Sequence, residues 1–216
     1  MTFTLHQIFY DWFGLNNWLF RIINAPHGDA YDSFMLTVTE LGNHHYITYY
    51  IAATVAVLAL RLLMRGKRPW PVVREELRPS IALVLTLVLG YIVCAVTTHI
   101  LKDMFSTPRP FIVFHDGVHM AGPPVDPADH FASLPSGHAA TISFLVAAWW
   151  PMLSRLWQNM GLLVAFLVCW SRVALGMHMP ADVVAGILVG VLSAALVRRF
   201  VNYIIIDYRV ERLFSR

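Results

Sequence analysis

The chain is expected to be all-α: a polytopic membrane bundle with five transmembrane helices, six if the N-terminal segment also crosses, plus short interfacial helices before them. Three observations carry this. Of the 216 residues, 57% are hydrophobic and only 13% charged, where a soluble domain has about a quarter charged. Apolar runs recur that approach or reach the ~20 residues needed to cross a bilayer. Basic residues gather in alternate segments between those runs, as the positive-inside rule requires. The composition also excludes intrinsic disorder, which needs low hydrophobicity. Two cysteines are too few for a disulfide scaffold. A net charge of +3, with no basic patch interleaved with aromatics, argues against a nucleic-acid partner.

Residues 3–23 are rich in Phe, Trp, Leu and Ile, but His6, Asp11, Asn16, Asn17 and Arg21 interrupt them. That mixture favours an amphipathic helix lying in the interface over a sixth span. Residues 32–41 read as a second short helix, stopped by Gly42. The five spans follow at 46–64, 80–101, 139–153 (reaching back to Ser136), 162–175 and 183–206. The expected organisation is one domain, 1–216, with an interfacial region 1–45 and a transmembrane core 46–206. A secretory signal peptide is not expected, because a basic leader and a clean apolar stretch are missing. Cys94 and Cys169 fall within apolar runs and read as packed thiols.

Charge sets the orientation. Arg65, Lys67, Arg68, Arg74 and Arg78 form one basic segment, and Arg198, Arg199, Arg209, Arg212 and Arg216 another; both are expected in the cytoplasm. The segment 102–135 carries Asp103, Asp116, Asp126 and Asp129 against only Lys102 and Arg109, and is expected outside, as is the turn 177–182.

Ionisable residues at membrane helix ends are functional suspects, and this topology brings three groups to one face. Lys102 ends a span, and Arg109 follows between Pro108 and Pro110, which stiffen the backbone on either side. Pro135-Ser136-Gly137-His138 precedes an apolar run. It suits a helix start, with Ser136 able to cap, free amides able to bind an anion and Gly137 allowing close approach. Ser171-Arg172 and His178 are followed by Asp182. An aspartate four residues after a histidine reaches one imidazole nitrogen if a helix begins between them, leaving the other nitrogen free as a nucleophile. Each group alone is equally an ordinary helix end. Together they make a pocket of two arginines, a lysine, a helix N-terminus and two histidines, which suits a phosphate. One histidine could attack phosphorus while the other protonates the leaving oxygen.

The three groups resemble the signature of the type 2 phosphatidic acid phosphatases: K-xxxxxx-R-P, P-S-G-H, then S-R-xxxxx-H-xxx-D, all complete and in order. The resemblance covers roughly 24–199. It implies His178 as nucleophile, forming a phosphohistidine, with Asp182 orienting it. It implies His138 as acid for the leaving group and then base for water. It implies Lys102, Arg109, Ser136, Gly137 and Arg172 as phosphate ligands, with no metal or other cofactor. The implied substrate is a lipid phosphate or diphosphate at the outer leaflet of a bacterial-type plasma membrane: undecaprenyl pyrophosphate, phosphatidylglycerophosphate, phosphatidic acid or a lipid A phosphate. The stretch Phe20 to Asn24 with Asp32 is similar to that of undecaprenyl pyrophosphate phosphatases. Alternatives are a phosphotransferase using the same phosphohistidine, a haloperoxidase that shares the pocket design, and a non-catalytic lipid-binding or transport protein. Ionisable groups at one face instead of the midplane disfavour transport.

Other polar residues have plainer readings. His115, Asp116, His119, Asp126, Asp129 and His130 match no common metal spacing and read as a solvated, substrate-facing loop. His44 and His45 read as interfacial, and His99 as packed. Gly186, Gly190 and Ala194 form a small-residue stripe that packs against another helix of the same chain, with a weak homodimer seam as the alternative. Trp149, Trp150, Trp157 and Trp170 suit an interface belt.

Overall fold

A computed structural model describes residues 7–64, 69–114, 117–122 and 124–204. Among them the α-helices are α1 (Leu15–Asn24), α2 (Asp29–Glu40), α3 (Ile47–Leu63), α4 (Trp70–Phe105), α5 (Pro110–Phe114), α6 (Gly137–Trp149), α7 (Arg155–Ala174) and α8 (Pro180–Asn202). The all-helical expectation holds. Arg65, Lys67, Arg68, His115, Asp116, Arg209, Arg212 and Arg216 lie outside the described residues.

Four stretches are long and apolar enough to cross a membrane: His44–Leu63, Leu77–Phe114, Arg155–Ala174 and Pro180–Asn202. The run expected as a further span, 139–153, is α6. It has 13 residues, and a 3-10 turn at Trp150–Met152 that contains Pro151 ends it. At about 1.5 Å per residue it is shorter than the four stretches above. It is the hub of the bundle: Ala139, Ala140, Thr141, Ile142, Ser143, Phe144, Leu145 and Ala148 are buried, while Val146, Ala147 and Trp149 are partly exposed.

The small-residue stripe of α8 faces α6. A Cβ at Gly186 would lie 2.5 Å from the Ser136 carbonyl, and one at Gly190 would collide with the Ala140 carbonyl. The glycines therefore serve packing inside the chain. Leu87, Cys94, Phe144 and Ala194 join α4, α6 and α8 in one core, and Phe20, Val168, Cys169 and Val183 join α1, α7 and α8 in another. Both thiols are free and buried.

Among the described N-terminal residues no helix is long and apolar enough to cross a membrane. Trp12, Phe13 and Gly14 have φ of 50°, 58° and 90°, a left-handed run that breaks any longer helix. The ten residues of α1 expose Leu15, Trp18 and Ile22 and bury Asn16, Phe20 and Asn24. Apolar residues outward and asparagines inward suit a helix that rests in the interface while bonding to the bundle.

Local chemistry gathers the three motifs at one end. α4 continues past Lys102 and stops at Phe105 because Ser106 turns left-handed (φ 43°), and its amide closes on the Lys102 carbonyl at 2.9 Å. Pro108 keeps Thr107 out of helix, and Pro110 opens the short α5. The α7–α8 connection is tight: the amides of Met177 and His178 both return to the Arg172 carbonyl, at 3.1 and 3.2 Å. Gly176 (φ 72°) makes that turn possible, where a Cβ would press to 2.5 Å from the His119 carbonyl.

Candidate active site

The three groups line a single cavity of about 430 Å³, which contains Lys102, Arg109, Gly137, His138, Arg172 and His178. Backbone bonds hold its walls together: Ser136 N donates to the Asp182 carbonyl at 2.9 Å, and Ser133 N to the Thr107 carbonyl at 3.1 Å. Ser136 and Asp182 adjoin the cavity from these walls.

The cations are held by neutral oxygens. Lys102 Nζ donates to the Ala132 carbonyl at 2.9 Å. Arg109 donates through Nε to the Asp129 carbonyl at 2.9 Å and through a terminal nitrogen to the Met177 carbonyl at 3.0 Å. Arg172 donates to Thr39 Oγ1 at 2.9 Å. These bonds fix direction without cancelling charge. Among the described residues, three buried polar atoms at or beside the cavity have no hydrogen-bond partner: Arg172 Nε, Ser136 Oγ and Thr98 Oγ1. A buried donor left unpaired costs about 1–3 kcal/mol. Ser136 holds the N-cap position of α6 with extended backbone, but its hydroxyl makes no capping bond, so the expected cap is not formed by the side chain. A Cβ at Gly137 would meet nothing within 4 Å, so open space lies over the α6 N-terminus.

His178 is 2% exposed and Asp182 is fully buried. α8 begins between them, as the four-residue spacing requires, and His178 Nδ1 lies 3.5 Å from Asp182 Oδ2. The closer contact is a third residue. Ser133 Oγ donates to Asp182 Oδ2 at 2.5 Å and lies 3.3 Å from His178 Nδ1. A hydroxyl that gives its one proton to a carboxylate can accept from the imidazole. This leaves Nδ1 protonated and the Nε2 lone pair free. Met179 N donates to Oδ2 at 2.8 Å, and Tyr10 OH donates to Oδ1 at 3.0 Å. Burial, and then the charges of Arg109, Arg172 and Lys102, hold the His178 imidazole well below its usual pKa, against the pull of a hydrogen bond to the Ser133 backbone. It is neutral at pH 7. Burial and the adjacent Asp182 push the Tyr10 phenol up, so it stays a donor.

Several contributors had no motif to mark them. Tyr10 and Ser133 complete the shell of Asp182. Asn16 Oδ1 accepts the Ala181 amide at 2.9 Å, at the start of α8. Asn24 donates to the carbonyls of Ala174 and His119, both at 2.8 Å, and accepts the His119 amide at 2.9 Å. His44 and His99, read from the sequence as interfacial and packed, both line the cavity. His99 is highly exposed and 3.6 Å from Asp103. Within the loop, His119 pairs with Asp32 at 2.9 Å, Asp126 caps a 3-10 turn and His130 sits edge-on to Phe111.

A helical membrane bundle enclosing a cationic cavity with two histidines defines an integral membrane phosphatase. The chain belongs to the PAP2 superfamily, whose sequence model matches residues 81–206. It is 29% identical over 178 residues to an undecaprenyl-diphosphatase of Sulfolobus acidocaldarius, covering 82% of this chain and 74% of that one. It is 28% identical over 149 residues to a lipid A 1-phosphatase of Rhizobium etli, covering 64% and 61%. The crystal structure of Aquifex aeolicus LpxE superposes with a TM-score of 0.66 at 25% identity, covering 86% of this chain and 95% of that one.

Proposed function

We propose that the protein hydrolyses a lipid diphosphate, with a polyprenyl diphosphate as the leading candidate, through a phosphohistidine on His178. The observation that carries this is a cavity rich in cations with unpartnered buried groups at its wall, among them Arg172 Nε and Ser136 Oγ. A tetrahedral anion would satisfy both. Lys102, Arg109, Arg172, Ser136 and the Gly137 backbone would bind its oxygens, and charge stabilisation of this kind is most of what phosphoryl transfer needs.

The geometry supports the following steps. His178 Nε2 attacks phosphorus, and Asp182 orients the ring through Ser133. The bound diphosphate brings negative charge beside His138 and with it a proton onto that imidazole, and the phosphorus–oxygen bond to the lipid side breaks as His138 gives that oxygen the proton. Neutral His138 then takes a proton from water, the oxygen of which attacks the phosphohistidine. Inorganic phosphate leaves, and both histidines return to their starting states. No step draws on a metal.

The identity of the diphosphatase relative favours the prenyl substrate. Arg198 and Arg199 lie in the last turns of α8, at the opposite end from Asp182. By the positive-inside rule this supports an outward-facing site, a cytoplasmic C-terminus and a plasma-membrane location. Internal use of the α8 glycines supports a single-domain monomer. The test is a panel of lipid mono- and diphosphates given to the purified protein, compared by kcat/KM with stoichiometric free phosphate as product. Transfer of phosphate to an added lipid alcohol in place of release would refute hydrolysis.

A further inference from the structure

His44 lies outside all three motifs, yet it lines the same cavity as Lys102, His138 and His178. Its position is set by the turn that follows α2. Gly42 packs directly on His138: a Cβ at Gly42 would lie 2.9 Å from the His138 carbonyl oxygen and 3.3 Å from its Cβ. Asn43 then fixes the turn, accepting the His45 amide at 3.1 Å and donating to Glu40 at 3.0 Å. The His44 ring rests against His45, with centroids 4.1 Å apart. Among the described residues its imidazole nitrogens have no hydrogen-bond partner. Arg172 and Lys102 neighbour both His138 and His178, whereas Arg109 neighbours His178 and His44 neighbours His138.

This places His44 on the leaving-group side. In a diphosphate the departing group is itself a phosphate, and it carries negative charge out past His138. In a monophosphate the departing group is an alcohol and has no such charge. Arg109 is on the His178 side, Arg172 and Lys102 are shared by both histidines, and His44 is on the His138 side, where the second phosphate would lie.

We propose that His44 forms a subsite for the second, departing phosphate of a lipid diphosphate and so sets preference for diphosphates over monophosphates. This rests on the hydrolase reading above. The bonds made and broken are those already given; His44 donates a hydrogen bond to a non-bridging oxygen and exchanges no group.

The experiment compares kcat/KM for farnesyl diphosphate and farnesyl monophosphate in one detergent, for wild type, His44→Ala and His44→Arg. Because His44 is exposed, its replacement leaves the core intact. The diphosphate-to-monophosphate ratio falls at least tenfold in His44→Ala and recovers in His44→Arg, which restores a donor and a charge. A His44→Ala ratio within twofold of wild type, whether both activities fall together or neither does, overturns the proposal. A wild type that releases phosphate from neither substrate overturns the hydrolase reading itself, and this proposal with it.

Discussion

Tyr10 and Asp182, 172 positions apart, are joined by a hydrogen bond of 3.0 Å. It ties the irregular N-terminal turn to the first turn of α8, so the segment before α1 belongs to the shell of Asp182. Hydrogen bonds to charged groups contribute about 1.5–3 kcal/mol, and about 1.4 kcal/mol is tenfold in rate. Tyr10→Phe should therefore lower kcat by about tenfold or more while KM changes little, because the phenol acts on Asp182 and not on the substrate. Steady-state kinetics on one lipid substrate checks both parameters.

Ser133→Ala removes the hydroxyl between His178 Nδ1 and Asp182 Oδ2. The direct separation of 3.5 Å is too long for a good bond. Loss of the proper tautomer should lower kcat by roughly a hundredfold, with about 2–3 kcal/mol at stake for a charge-assisted bond. Ser133→Thr, which keeps the hydroxyl, should retain more activity than alanine.

The spacing of His178 and Asp182 was legible in the sequence because a short turn and a helix start relate them. Tyr10 and Ser133 were not. Their contacts with Asp182 cross 172 and 49 positions, and neither sits in a pattern that demands a partner. The position of His44 depends on how Gly42 packs against His138, which no local rule gives. The continuous apolar run at 139–153 forms α6, mostly buried, and the turn that contains Pro151 ends it. By contrast, the helix ends near Lys102 and Asp182 follow from proline, glycine and capping chemistry, and those were readable.

The low pKa of His178 has a consequence for stability. In the unfolded chain the imidazole takes up a proton near its ordinary value of about 6.5, while in the folded state it resists until well below that. Between the two values the unfolded state binds more protons, so stability falls as pH drops. The contribution is complete above about 6.5 and is lost on acidification below it. The thermal midpoint should decline from pH 7 to pH 5, and His178→Gln should make that decline shallower.

Packing of α8 on α6 gives a prediction independent of chemistry. A Cβ at Gly190 collides with the Ala140 carbonyl, and the contact is with backbone, which cannot swing aside. Gly190→Val should destabilise by about 1–3 kcal/mol or more, the usual cost of overpacking. A lowered thermal midpoint and reduced monodisperse yield would show it. Gly14→Ala meets no neighbour within 4 Å, although its φ of 90° still disfavours a side chain, and should cost less.

The central claim is that phosphate passes through His178. Its most direct measurement is rapid alkaline quench of the enzyme during turnover of a lipid diphosphate, followed by peptide mapping. The account predicts acid-labile, base-stable phosphate on the His178 peptide, none in His178→Gln, and undiminished labelling in excess chelator. Phosphate on a different residue, or full turnover by His178→Gln, would contradict it.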